Sequence, residues 1–292
     1  MRCSLIVATR GRDAELAALF DSLLAQDEAA LEVIVVDQNE DDRLVPVIAG
    51  FDGRLALRHV RSAVANANHA RNLGLGLARG EIVGFPDDDC TLPPGLLARV
   101  LAAFAADPAL AIRTGPAASP EGGLGSGRWR DHSGPITVAD AFVSIIEFNL
   151  FLRRPVALAL GGFDIRLGPG TPFGSAEGND LVLRALAAGH AAWYDRDQLI
   201  VHPDKRLSSV AVARAALYGT GLGHVLRRHR VPARVALPFF IRPLGGALLA
   251  LARGNGLAAR YYWQSWRGRL AGFLAPGARD GLPLPAMTGP VA

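Results

Sequence analysis

The feature that most constrains this chain is the alternation, through its first 115 residues, of short apolar runs with longer amphipathic ones. Ser4–Ala8 (SLIVA) is too short for a helix and apolar after its first residue, as a strand covered on both faces requires. A helix is expected around Ala14–Ala25, with Leu16, Leu19, Phe20, Leu23 and Leu24 on one face. Glu32–Val36 (EVIVV) is a second buried strand, and Leu55–Val60 a third with alternating character. Ala65–Arg79 is read as a helix stopped by Gly80, Ile82–Phe85 as a fourth strand, and Pro94–Ala106 as a helix with proline near its first turn. Ala111–Gly115 adds a fifth strand. Such alternation implies right-handed crossovers and a mostly parallel sheet with helices on both faces, an α/β class.

The pattern then loosens. Residues 115–135 shift to Gly, Pro and Ser and are read as a surface loop. A strand is expected near Ser144–Phe151, a turn at Gly161–Asp164, and a flexible loop from Gly168 to Gly178. A helix over Asn179–Ala188 and strands at Ala191–Tyr194 and Leu199–Val201 follow. From Ser208 to about Leu274 the chain is helical in pattern. Charge divides at the same place: from Lys205 onward thirteen Lys/Arg face one acid, Asp280, whereas the first 204 residues carry 18 bases and 26 acids. Two regions are therefore expected, 1–204 and a basic helical 205–292. Half the residues are hydrophobic and only two are cysteine, which excludes a disordered chain, a disulfide scaffold and a multi-cysteine zinc site. The start lacks the basic segment and longer apolar core of a signal peptide, so a cytoplasmic protein with reduced Cys3 and Cys90 is expected.

Ligands of open α/β sheets bind beyond the carboxyl ends of the strands. Those ends carry Thr9-Arg10-Gly11-Arg12, then Asp37 with Asn39, Asp41 and Asp42, then Pro86-Asp87-Asp88-Asp89, and finally His202. Three adjacent aspartates repel one another unless a cation compensates. A hard divalent ion accepts carboxylate oxygens and keeps room for substrate phosphates. The other reading is a solvated acidic turn ahead of the helix near Pro94; the neighbouring Asp37 favours the metal. A G-x-G-x-x-G after the first strand, a P-loop and a G-x-S-x-G elbow are all missing from the sequence.

These segments, in this order, resemble family 2 glycosyltransferases with the Rossmann-like GT-A fold. SLIVATRGR resembles that family's first strand and donor loop, VIVVDQNEDD its second strand, and ANHARNLGLGLARGEIVGFPDDDC its Ala-Arg-Asn helix and DXD strand. GGFD at 161–164 and SAEGNDLVLRALAAGH at 175–190 resemble its acceptor-side motifs, and IVHP at 200–203 its closing strand. The resemblance spans about residues 3 to 204. It implies that Thr9 and Asp37 line a nucleotide pocket with Arg71 nearby. It also implies that Asp87 and Asp88 contact ribose or metal waters, and that Asp89 ligates a divalent ion, Mn²⁺ or Mg²⁺. His202 stands where some relatives place a further metal ligand; a rim histidine bonded to backbone is the alternative. The family's base aspartate follows a glutamate, but here Glu177 is followed by Gly178. Glu177 and Asp180 are the remaining carboxylates and can share a helix face. Asp180 also suits a helix N-terminus stabilised by the dipole. Glu177, placed in the loop, is the expected base.

The resemblance thus implies a metal-dependent, inverting transfer of sugar from a nucleotide diphosphate to a saccharide or lipid-linked hydroxyl, in polysaccharide or glycolipid synthesis. The alternative is a non-catalytic nucleotide-sugar-binding partner in a polysaccharide assembly complex. In the tail, Val235–Ala252 is apolar but carries Arg242 and two prolines, which argues against a clean membrane span. Tyr261, Tyr262, Trp263, Trp266 and Phe273 lie among Arg260, Arg267 and Arg269, a mixture suited to an anionic membrane surface on the cytoplasmic side. A helical lid packed on the first region is the other reading. Nothing before residue 205 supports nucleic-acid binding.

Overall fold

Cys3–Thr9 forms β1 in the interior of the sheet and is buried along nearly its whole length. The computed structural model describes residues 2–26 and 30–276. The elements that follow are α1 (Ala14–Leu24), β2 (Leu31–Asp37), α2 (Val45–Gly50), β3 (Leu57–Arg61), α3 (Ala67–Leu77), β4 (Ile82–Gly84), α4 (Leu96–Ala106) and β5 (Leu110–Thr114). Next come β6 (Ala117–Ala118), β7 (Gly134–Pro135), β8 (Phe151–Arg153), α5 (Arg154–Ala159), α6 (Glu177–Ala187), β9 (Ala191–Tyr194) and β10 (Ile200–Val201). Three long helices close the described chain, α7 (Ser209–Arg228), α8 (Ala233–Ala252) and α9 (Gly256–Leu274).

The main sheet has the order β3-β2-β1-β4-β8-β5-β9-β7. β1 pairs in parallel with β2 on one side and β4 on the other, which brings Thr9 level with Asp37. β8 is antiparallel to both β4 and β5, β9 is parallel to β5, and β7 is an antiparallel edge. Alternation along β1 divides the interior. Leu5 and Val7 join Leu16, Phe20, Leu97 and Phe104 in one core, while Ile6 joins Ala70, Leu75 and Leu181 in the other. Helices therefore cover both faces, as the apolar strands required. Because β2 lies on one side of β1 and β4 on the other, the strand order reverses at β1, and a crevice opens there at the carboxyl ends.

Several local expectations need correction. Ser144–Phe151 is not a strand: single 3-10 turns occupy Ala141–Val143 and Glu147–Asn149, and only Phe151–Arg153 pairs, antiparallel. Within 115–135, Ala117–Ala118 is buried and pairs with β10, so the expected closing strand belongs to a separate two-stranded sheet. The helix expected from Asn179 begins at Glu177, after Ala176 adopts φ +70°. Glu177 is thus in a first helical turn, not a loop. α2 was not anticipated.

The prolines of the apolar stretch do not break α8. Proline removes a backbone donor and frees the carbonyl four residues earlier. For Pro243 that carbonyl is Phe239 O, which accepts a bond from Arg269 Nη1 at 2.5 Å. Among the described residues α8 is the one helix long and apolar enough, by length and composition, to cross a membrane (mean hydropathy 1.8). α9 lies against α7 through paired glycines: a methyl added at Gly268 or Gly272 would come within 1.9 Å of Ala216 O or Thr220 O. α7 in turn touches the first region, with Gly221 directly over Ser175. The last residues of the expected basic region, 277–292, lie outside the described residues.

Candidate active site

A cleft of about 530 Å³ opens at the switch point. Its size is that of an ordinary small-molecule site. Asp87, Asp88 and Asp89 follow β4 and form its acidic rim, joined from afar by His202 after β10. Asp87, Asp89 and His202 can each offer one ligand atom, all within 4.8 Å of one another. His202 Nε2 is 3.4 Å from Asp89 Oδ1, a buried oxygen with no hydrogen-bond partner. Nδ1 of the same ring lies 2.8 Å from Pro203 O, the backbone contact expected of a rim histidine. If Nδ1 donates that bond, the Nε2 lone pair faces the rim.

Arginines answer the acids. Arg12 bonds Asp88 and lies 2.9 Å from Asp89 Oδ2. Burial pushes the Asp88 carboxyl above its ordinary value, offset in part by Thr9 and Arg12. Burial likewise raises Asp89, against the pull of His202 and Arg12. Arg71, buried on α3, donates to Asp87 Oδ1 at 2.8 Å and lies 3.5 Å from Glu177 Oε1. α3 is held in place by its own polar face. Asn66 caps its start, Asn68 donates to Asp164 O and Leu167 O, and Asn72 both donates to and accepts from the Phe163 backbone. Gly162, at φ +72°, is required there because a methyl would meet Asn72 Oδ1 at 2.2 Å.

The expected residues do not all reach the cleft. Asp37 is fully buried; its Oδ1 accepts from the Asn39 backbone and side chain at 2.8 Å, and its Oδ2 lies 2.9 Å from His59 Nε2. Thr9 is buried beside it, and Ala8 and Gln38 line the opening instead. Asp180 departs furthest from expectation. It is fully buried and surrounded by Arg184 at 2.8 Å, His229 at 2.8 Å and Arg228 at 3.6 Å. Burial alone would raise its carboxyl, but these partners hold it below the ordinary value. Arg228 also bonds Asp164, and Arg184 reaches the carbonyls of Leu160 and Gly162. Asp180 therefore joins α6, α7 and the 161–164 turn, and no oxygen of it faces the cleft. Glu177 does line the cleft but is only 4% exposed, and burial with the neighbouring Glu147 charge pushes its carboxyl up to about 8.

Sequence reasoning missed Glu147, Phe148, Lys205, Arg214 and Tyr218, all of which line the cleft. Glu147 lies in a segment mistaken for a strand. Lys205, Arg214 and Tyr218 come from the basic region, so that region builds one wall of the cleft. α7 packs directly on the first region, whereas the aromatic helix α9 packs on α7. Arg12 stood in the quoted first segment, where its position next to a strand end was the available signal.

A mostly parallel sheet with helices on both faces and a cleft at its switch point is the architecture of a GT-A glycosyltransferase. The chain belongs to glycosyl transferase family 2, whose family model matches residues 4–152. It is similar to S. aureus TarS 1-349, solved in complex with UDP-GlcNAc, at 17% identity and TM-score 0.62, over 91% of this chain and 92% of that one. It is also similar to the mannosyltransferase PcManGT from Pyrobaculum calidifontis, solved with GDP-Man and Mn2+, at 20% identity and TM-score 0.64, over 94% and 87%. A Pasteurella multocida hyaluronan synthase is 35% identical over 94 residues, which are 31% of this chain and 10% of that relative.

Proposed function

We propose that this protein moves a sugar, with inversion, from a nucleotide-diphosphate donor to a hydroxyl of a saccharide or lipid-linked acceptor. The observation that carries the reading is the convergence of Asp87, Asp89 and His202 beside the arginines of the cleft. Two carboxylate oxygens and an imidazole nitrogen suit Mn²⁺, and the unpartnered Asp89 Oδ1 is an oxygen such an ion would engage. Mg²⁺ is the other candidate. When bound, the ion would supply Lewis-acid stabilisation of the departing diphosphate. Arg10 and Arg12 line the cleft on the rim side and can meet diphosphate oxygens. Arg71 keeps Asp87 oriented. Gln38, next to Asp37 in the chain, lines the cleft and would meet the nucleotide. The proton of the acceptor hydroxyl goes to a carboxylate on the α6 side, where the sequence pointed to Glu177.

We place the acceptor at an anionic membrane surface on the cytoplasmic side, in polysaccharide or glycolipid synthesis. Leu237, Ile241, Leu248 and Leu251 form one exposed face of α8, and exposed Arg234, Arg242, Arg253 and Arg260 accompany it.

Calorimetry with UDP-GlcNAc and GDP-mannose tests the donor reading. Wild-type protein should bind at least one of them more tightly with Mn²⁺ than without. Asp89→Ala should lose that gain. Equal binding by the variant with Mn²⁺ present would remove Asp89 from the site.

A further inference from the structure

Two glutamates approach the α6 side of the cleft, and they are not equivalent. Glu177 is buried beneath the surface and shares Arg71 with Asp87. Glu147 is half-buried, lines the cleft, and stands at the start of a rigid 3-10 turn. That turn is fixed by its next two residues. Phe148 stacks on His202, and buried Asn149 donates to Pro116 O and Gln198 O at 3.0 and 2.7 Å. Glu147 Oε1 accepts the backbone N–H of Gly178 at 3.1 Å. A methyl placed on Gly178 would lie 3.1 Å from both Cγ and Oε1 of Glu147 and 3.2 Å from Leu150 Cδ1. The Glu147 carboxylate thus occupies the room beside residue 178, where a larger side chain would crowd it.

We propose that Glu147 is the base that deprotonates the acceptor hydroxyl, its carboxylate filling the space a side chain at position 178 would occupy. This deepens the transferase reading and rests on it. The hydroxyl O–H bond breaks and its proton passes to Glu147 Oε2, since Oε1 is held by Gly178 N–H. The oxygen's electron pair forms the bond to the anomeric carbon. The bond from that carbon to the diphosphate breaks, and its pair leaves on the nucleoside diphosphate. Glu177 is only 4% exposed and its Oε1 faces Arg71, so an acceptor hydroxyl reaches it less readily than it reaches Glu147. Glu177 acts as a positioning residue through Arg71.

The test compares Glu147→Gln, Glu177→Gln and the wild type. Donors are UDP-GlcNAc and GDP-mannose with Mn²⁺, water serves as acceptor, and nucleoside diphosphate release is measured. Glutamine at 147 keeps an oxygen for the Gly178 N–H, so the cap on α6 survives while the base is lost. Glu147→Gln should bind donor like the wild type and release diphosphate about 10²–10⁴-fold more slowly. Glu147→Ala should be equally slow, and adding Gly178→Asp to it should restore at least tenfold. Wild-type turnover in Glu147→Gln, or a larger loss in Glu177→Gln, overturns the assignment while leaving the transferase reading intact. A wild-type protein that neither binds nor turns over these donors overturns both.

Discussion

His202 lies flat against Phe148, with ring centroids 4.6 Å apart and planes 2° from parallel. Residues 54 positions apart are thereby made into one unit, and the ring is presented edge-on to Asp89. Groups that orient a metal-binding histidine typically matter by 10–100-fold in affinity. Phe148→Ala should therefore weaken Mn²⁺ binding by roughly that factor, with folding retained. Titration of Mn²⁺ into the two proteins measures it, and unchanged affinity would show that the stacking has no part in binding.

Glu177 supplies a pH signature. Its folded-state pKa is raised to about 8, so the folded protein binds an extra proton between the unfolded value and that point. Stability contributed by this group is full below about pH 4, declines as pH rises, and levels off above about pH 8. Glu177→Gln should flatten that decline by something on the order of a few kcal/mol. Denaturant midpoints at pH 5, 7 and 9 in metal-free buffer decide the matter. Parallel profiles for the two proteins would locate the proton elsewhere.

The glycine seam between α7 and α9 predicts sharply position-dependent effects. Gly272→Ala would drive a methyl to 1.9 Å from Thr220 O, and separating the helices should cost about 1–3 kcal/mol. Gly245 on α8 has nothing within 4 Å of an added methyl, so Gly245→Ala should be neutral or stabilise by up to about 1 kcal/mol. Thermal unfolding of both variants suffices. A harmless Gly272→Ala would mean that the helices are not in close contact there.

Membrane attachment should depend on the outer face of α8, where Ile241 is 63% and Leu248 69% exposed. Full-length protein is expected to float with anionic vesicles and less with neutral ones. The charge-dependent part should fade toward 1 M salt, where the Debye length falls to about 3 Å. Ile241→Glu with Leu248→Glu should abolish flotation without altering donor binding. Flotation of that double variant at wild-type levels would discard the face as the attachment surface. Resistance to salt but not to detergent would point instead to α8 crossing the bilayer.

How much was legible in advance follows from how far each signal reaches along the chain. β1, β2 and β4 are short apolar runs that must be covered on both faces, so their sequences alone placed them inside a parallel sheet. α1 and α4 carry an apolar face at helical spacing and were equally plain. β6 and β7 have two residues each, too few for any period, and exist only because distant partners supply their hydrogen bonds. The same holds for the turn at Glu147, whose conformation is set by buried Asn149 bonding to residues 33 and 49 positions away.

The sequence by itself determined the chemistry of the rim. Three consecutive aspartates after a buried strand are a local fact, and like charges so close repel one another wherever the chain folds; here Arg12 and Arg71 stand beside them. Their order among the other segments was enough to identify the family. Only the tertiary structure decided which carboxylates work together. Asp180 and Glu177 lie three residues apart in one helix, yet the first is enclosed by arginines of α6 and α7 and the second borders the cleft. Glu147 reaches Gly178 across 31 residues because the 3-10 turn and α6 are packed side by side. Ionisation, burial and access depend on what surrounds a group in space, and contacts between distant segments set those surroundings.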